Sequence, residues 1–250
     1  MKLALAALLA LCLPLLLTLT NVQLMATSPA FYEWGFRRHG VGAATGLDDQ
    51  QLRRVAGEFI AYFQAPPREM DVRVRLRGRE VPLFNPREIA HMVDVQALMR
   101  TLRRVQLACG AGVLVALVAL GLLERRPLGR SAGLGLLGGA ALTLALLALI
   151  AVATLVDFGD FWTRFHLVAF SNDFWMLDPA RDNLIRLFPP PFWMDATLLL
   201  AGATALEALL VGGAGLLALA TAPAPATSLA LSARSTPRDL SRGDPATRVR

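Results

Sequence analysis

The chain has two cysteines and three histidines in 250 residues, and each scarcity closes off a class of function. Cys12 and Cys109 both stand inside apolar runs, so neither a disulfide framework nor a CxxC metal site can be drawn from them. Leu11 precedes Cys12 where a lipoprotein-processing signal wants a small residue, so the chain does not read as a lipoprotein itself. Charge is thin as well, at 18% of residues against 55% hydrophobic, too apolar a balance for an ordinary soluble domain. The net charge of +6 would suggest nucleic acid in a soluble chain. Here the arginines flank apolar runs and line one long loop, so anionic headgroups are the expected partner and nucleic acid is not.

What is present is a set of four apolar runs, at about 3–25, 105–123, 132–156 and 196–220. At about 1.5 Å per residue each can cross a hydrocarbon core of about 30 Å. The first continues past Pro14 to Met25, longer than the roughly 7–15 apolar residues of a cleaved signal, and is read as an uncleaved first helix. The last carries Glu207 near its middle. An ionisable residue at that depth is expected to face the bundle and find a hydrogen-bond partner.

Orientation follows from arginines in short connections. The densest is Glu124-Arg125-Arg126-Pro127-Leu128-Gly129-Arg130, which belongs on the cytoplasmic side together with a tail bearing Arg234, Arg238, Arg242, Arg248 and Arg250. The segments 26–104 and 157–195 then face outward. Residues 223–250, rich in Ala, Pro, Ser, Thr and Arg, are expected to form a disordered cytoplasmic tail behind a membrane domain of residues 1–222. The fold class is therefore an α-helical integral membrane protein, with four transmembrane helices and a small extracytoplasmic α+β cap.

The first outer segment opens on the aromatic stretch Phe31 to Phe36, suited to the headgroup zone, followed by His39, read as a solvated loop histidine. Leu52, Val55, Phe59, Tyr62 and Phe63 recur at helical spacing after the cap Asp48. Val72, Val74 and Leu76 then alternate with Arg73, Arg75 and Arg77 before Gly78, and Val81 and Leu83 resume the pattern, as a β-hairpin with one cationic face would. Asn85, Pro86 and Glu88 spell a helix start with a capping box. Glu88, His91 and Asp94 follow at three-residue steps, so either carboxylate could support the imidazole. A carboxylate on one ring nitrogen would fix the tautomer and raise the basicity of the other, as a general base requires. An inconsequential surface pair is the competing account.

The second outer segment is denser in aromatics than an interfacial belt needs, since residues 158–193 hold ten of the eighteen in the chain. Among them stand Asp157, Asp160, His166, Asn172, Asp173, Asp178, Arg181, Asp182 and Arg186. Asp178-Pro179 is read as a helix start running to Pro189. An aromatic cleft edged by charge suits an amphipathic ligand, acyl chains below and a polar head above.

The stretch Phe84-Asn85 with Glu88, His91-Met92 and Asp94-Val95, followed by Phe165-His166, Asn172, Trp175, Leu177, Pro179, Asp182, Leu184-Ile185, Phe188-Pro189 and Phe192-Trp193, resembles the lipoprotein intramolecular transacylase family. The resemblance covers roughly residues 1–220. It implies a four-span enzyme of the bacterial cytoplasmic membrane whose active site is extracytoplasmic. Such an enzyme moves the sn-2 acyl chain of a diacylglyceryl lipoprotein to the α-amino group of its N-terminal cysteine, leaving a lyso-form lipoprotein. The family's catalytic histidines map onto His91 and His166. The long tail and Glu207 depart from its pattern without touching the motif blocks.

The residue chemistry agrees. With amine and ester on one substrate, no enzyme nucleophile, cofactor or metal is required, only proton transfers and oxyanion stabilisation. His91, supported by Asp94 or Glu88, is assigned as base and His166 as its partner. Asn172, Trp175, Arg181 and Asp182 are assigned to substrate binding, with Asn172 or Arg181 as oxyanion donor. Two other classes compete. One is a metal-dependent hydrolase holding its ion on His91, Asp94 and His166. The other is a haem-binding four-helix protein with the histidines as axial ligands.

Overall fold

A computed structural model describes residues 1–222; the expected tail at 223–250 lies outside the described residues. The chain begins with α1 (Lys2–Ala26), 25 residues without a charge after Lys2. At about 1.5 Å per residue α1 spans about 37 Å, enough to cross a bilayer core. Three short helices follow, α2 (Pro29–Arg38), α3 (Val41–Thr45) and the amphipathic α4 (Asp49–Gln64). Asp48 caps α4 by accepting from the Gln51 amide, and the helix buries Leu52, Val55, Phe59 and Tyr62, the stripe seen in the sequence.

The hairpin forms as its alternation indicates. Strands β1 (Arg73–Leu76) and β2 (Arg79–Pro82) pair antiparallel, with Val74 opposite Val81 and Arg75 opposite Glu80. Arg77 and Gly78 join them at φ 51° and 77°, the two positive values that a tight hairpin turn needs. Val74 is buried while Arg73 and Arg75 are exposed.

From the hairpin the chain enters α5 (Pro86–Glu124), 39 residues long. The capping box is present as read. The capped segment and the second membrane span are one continuous helix, so its outer turns stand rigidly on a membrane-spanning rod. The membrane helix α6 (Arg130–Val156) leads to α7 (Phe158–Ala169), the five-residue α8 (Asn183–Leu187) and the last span, α9 (Pro190–Thr221). The expected helix from Asp178 is reduced to α8. Asp178 accepts from the Ala180 amide, and Asp182 turns back to the Asp178 amide, which holds 178–182 as a turn.

Four helices, α1, α5, α6 and α9, are long and apolar enough to cross a membrane. The chain is a multi-pass membrane protein. The bundle is drawn tight by small residues: a Cβ on Gly133 would stand 2.9 Å from the Gly215 carbonyl oxygen, so α6 and α9 meet backbone to backbone there. At one end of the bundle both outer segments share a single core. Tyr32, Phe36 and Phe59 from the first pack with Leu187, Phe188 and Phe192 from the second. Phe59 and Phe188 meet edge to face at 5.0 Å, and Phe188 and Phe192 at 5.2 Å.

Candidate active site

Each histidine comes from a different outer segment, and the shared cap core brings them together. His91 sits in the second turn of α5, well before the apolar stretch that spans the membrane, and His166 near the end of α7. Their ring centroids are 6.1 Å apart and each residue is only 7% exposed. Both line an apolar cavity of about 370 Å³ whose other walls include Phe31, Phe59, Leu102, Trp175, Phe188 and Leu200.

The two rings differ in what holds them. Nδ1 of His166 lies 2.8 Å from the Trp162 carbonyl oxygen, one turn back on α7. A carbonyl can only accept, so Nδ1 carries a proton and neutral His166 offers Nε2 as a lone pair. Trp162, Trp175 and Phe165 surround the ring at centroid distances of 4.7, 4.8 and 5.2 Å. Burial lowers the His166 pKa below its ordinary value, with the Trp162 carbonyl opposing. His91 has Phe170 edge-on at 5.1 Å and a buried Nδ1 without a partner. Burial, followed by the neighbouring His166, pushes its pKa down to about 4 against a smaller opposing pull from Asp94. His91 is thus neutral at physiological pH.

The expected supporting carboxylates are committed elsewhere. Glu88, 1% exposed, accepts from the Asn85 amide at 2.8 Å and from the Leu184 amide, so it ties the start of α5 to α8. Asp94 accepts from Asn172 Nδ2 at 2.9 Å. Neither oxygen set reaches an imidazole. A charge contact between Asp94 and His91 remains, without a hydrogen bond.

Of the four residues expected to bind substrate, Trp175 lines the cavity and Asn172 anchors the segment that presents it, its carbonyl accepting from the indole Nε1 at 2.9 Å. Arg87 holds the next residue, donating to the Asp173 carbonyl oxygen. Asp182 is buried and accepts from Asn85 Nδ2 at 2.8 Å. Arg181 has a 67% exposed side chain beside Asp178 and Asp182 and does not line the cavity. Of the two residues considered as oxyanion donor, Asn172 directs Nδ2 at Asp94 and Arg181 lies outside the cavity lining. His39 is also placed differently from its reading: it is partly buried, with Nε2 3.2 Å from Asp195 on α9. That partner lies 156 residues further along the chain, beyond any local spacing rule.

The sequence reading did not single out Phe170 or the Trp162 carbonyl. The second had a signal, because Trp162 stands four residues before His166 on a helix; the belt of aromatics around it concealed the relation. As for a metal, among the described residues no three side chains of His, Cys, Asp or Glu come together in a set that could hold an ion. Asp94 is turned to Asn172, so the expected His91, Asp94 and His166 ligand set does not form.

Residues 7–193 match the model of the family described as lipoprotein intramolecular transacylase Lit. The fold is similar to that of the membrane-integral lipoprotein intramolecular transacylase Lit from Bacillus cereus, at a TM-score of 0.74 and 17% identity, covering 88% of this chain and 96% of that one. Two variants of that protein, with a histidine replaced by arginine or by alanine, match at TM-scores of 0.69 and 16% identity. No curated protein matches the chain.

Proposed function

Because the chain belongs to the lipoprotein intramolecular transacylase family, we propose that its two buried histidines move the sn-2 acyl chain of a diacylglyceryl lipoprotein onto the α-amino group of the N-terminal cysteine. The observation that carries this is the pairing of two neutral imidazoles, 6.1 Å apart, against one apolar cavity.

The free amine attacks the ester carbonyl carbon and a C–N bond forms. Nε2 of His166 takes the amine proton, since Nδ1 is held by Trp162. Trp175, inclined 31° to the ring at a centroid distance of 4.8 Å, favours the transient imidazolium. Collapse of the tetrahedral intermediate breaks the C–O bond, and the imidazolium returns its proton to the glycerol oxygen. One proton has moved from nitrogen to oxygen and His166 is restored. This reverses the order first assigned, with His166 rather than His91 as base.

His91, kept neutral by burial, supplies an N–H donor for the carbonyl oxygen as negative charge develops there. A protonated His91 would donate too, but it would repel the imidazolium forming at His166. Placement of the site on the extracytoplasmic side is supported by the basic connection 124–130 at the opposite end of the bundle.

The test is expression of the chain in a host whose lipoproteins are diacylated, with mass spectrometry of their N-terminal peptides. The cysteine should gain an N-acyl chain while the glycerol loses one. Peptides that gain an acyl group with both glycerol esters retained would refute the intramolecular transfer.

A further inference from the structure

Below the cavity, the three helices that wall it are joined by a layer of polar side chains. The innermost lining residues are Val22 on α1, Leu102 on α5 and Leu200 on α9. Within about one turn further in stand Thr20 and Asn21, Gln106, and Thr204. These residues bond to one another across the helices. Gln106 Nε2 donates to Thr20 Oγ1 at 3.0 Å, tying α5 to α1. Asn21 Nδ2 lies 3.0 Å from Thr204 Oγ1 and 2.9 Å from Glu207 Oε2, tying α1 to α9. Asn21 and Thr204 are buried.

Resting on the transacylase reading above, we propose that this layer is the floor of the acyl cavity and sets the longest chain the enzyme transfers. An apolar layer would let an alkyl chain slide on between the helices, because hydrocarbon would merely replace hydrocarbon. A hydrogen-bonded layer stops it, since parting the bonds strands donors and acceptors in a medium with no water to receive them. His91 and Leu102, at the two ends of the α5 lining, are eleven residue steps apart, about 16 Å at about 1.5 Å per residue. A chain whose carbonyl carbon lies between the histidines meets the floor at that depth. Further methylenes would have to part that layer.

The experiment uses purified chain in lipid nanodiscs with synthetic diacylglyceryl lipopeptides whose sn-2 chains are graded in length, read by mass spectrometry of the N-acyl product. Wild-type turnover should fall about tenfold or more over the few carbons past a threshold length, the scale on which an apolar pocket rejects a misplaced methylene. Leu200→Trp, which raises the floor, should move the threshold to shorter chains. Asn21→Ala, which opens it without adding bulk, should move it to longer ones. Identical length profiles in all three proteins, or a loss that is equal at every length in both variants, would overturn the floor. If wild-type protein N-acylates none of the peptides at any length, the transacylase reading fails and the floor fails with it.

Discussion

The Nδ1–H of His166 donates to the carbonyl oxygen of Trp162 at 2.8 Å, which leaves Nε2 as the one basic nitrogen of that ring. A carbonyl does for this histidine what a carboxylate does in a triad, fixing the tautomer without adding a charge. The pKa is then not raised by an anionic partner, and burial lowers it. His91 is lowered as well, to about 4 from an ordinary 6.5.

A pH dependence of stability follows. The unfolded chain binds protons at these histidines from about pH 6.5 downward, while folded His91 does not until about pH 4. The depressed folded value means that stability is fully present above pH 6.5 and is lost as pH falls toward 4. Thermal unfolding in detergent should show this fall, and His91→Gln should flatten it. An unfolding midpoint in His91→Gln with the same slope across that window would show that His91 is not the group responsible.

Glu88 makes a second prediction possible, on folding rather than chemistry. Its carboxylate accepts the Asn85 and Leu184 amides and is 1% exposed. Glu88→Ala leaves both donors without that acceptor, at roughly 1–3 kcal/mol for each buried group. Glu88→Gln keeps one side-chain acceptor and should recover part of the loss. Equal unfolding midpoints for the Ala variant and wild type would remove this structural role.

These residues also show where the sequence was legible. The capping box, the amphipathic stripe of α4, the hairpin with its Arg77-Gly78 turn and all four spans were readable because their causes lie within a few residues of chain. The histidines were legible as members of two motif blocks. What surrounds them was not, because Asp94 and Glu88 have local partners by spacing and long-range ones in fact: Asn172 is 78 residues away and Leu184 is 96. A three-residue step on a helix makes a pair possible. A better-placed donor from another segment takes the carboxylate.

Topology offers a third test. Ser171, exposed beside the candidate site, and Leu128, exposed in the basic connection between α5 and α6, lie at opposite ends of the bundle. Single cysteines placed at these positions should react with an impermeant maleimide from opposite faces of the membrane. The native thiols interfere little, since Cys109 is buried and Cys12 partly so. Labelling of both new cysteines from one face would refute the four-span arrangement.

Glu207 finds the partner expected of a mid-span carboxyl, accepting from Asn21 Nδ2 at 2.9 Å. Glu207→Gln retains a carbonyl oxygen for that bond, so turnover on any one substrate should be nearly unchanged. Loss of turnover in a stably folded Gln variant would place the carboxyl in the chemistry itself.

The last relationship to test at the bench is between the histidines themselves. If His166 moves the proton and His91 holds the oxyanion in the same transition state, each is required for the other to be useful. His91→Ala and His166→Ala should then each reduce turnover by about 10²- to 10⁴-fold, the range of positioned acid–base groups, with folding intact. The double variant should be scarcely slower than either single, because groups that act as a unit are not additive. His39→Ala is the control: its ring pairs with Asp195 outside the cavity, and turnover should change little. Purified variants assayed on one lipopeptide would give all four rates. A double variant whose loss is the product of the two single losses would mean that the histidines serve separate steps, and the shared transition state proposed for them would be wrong.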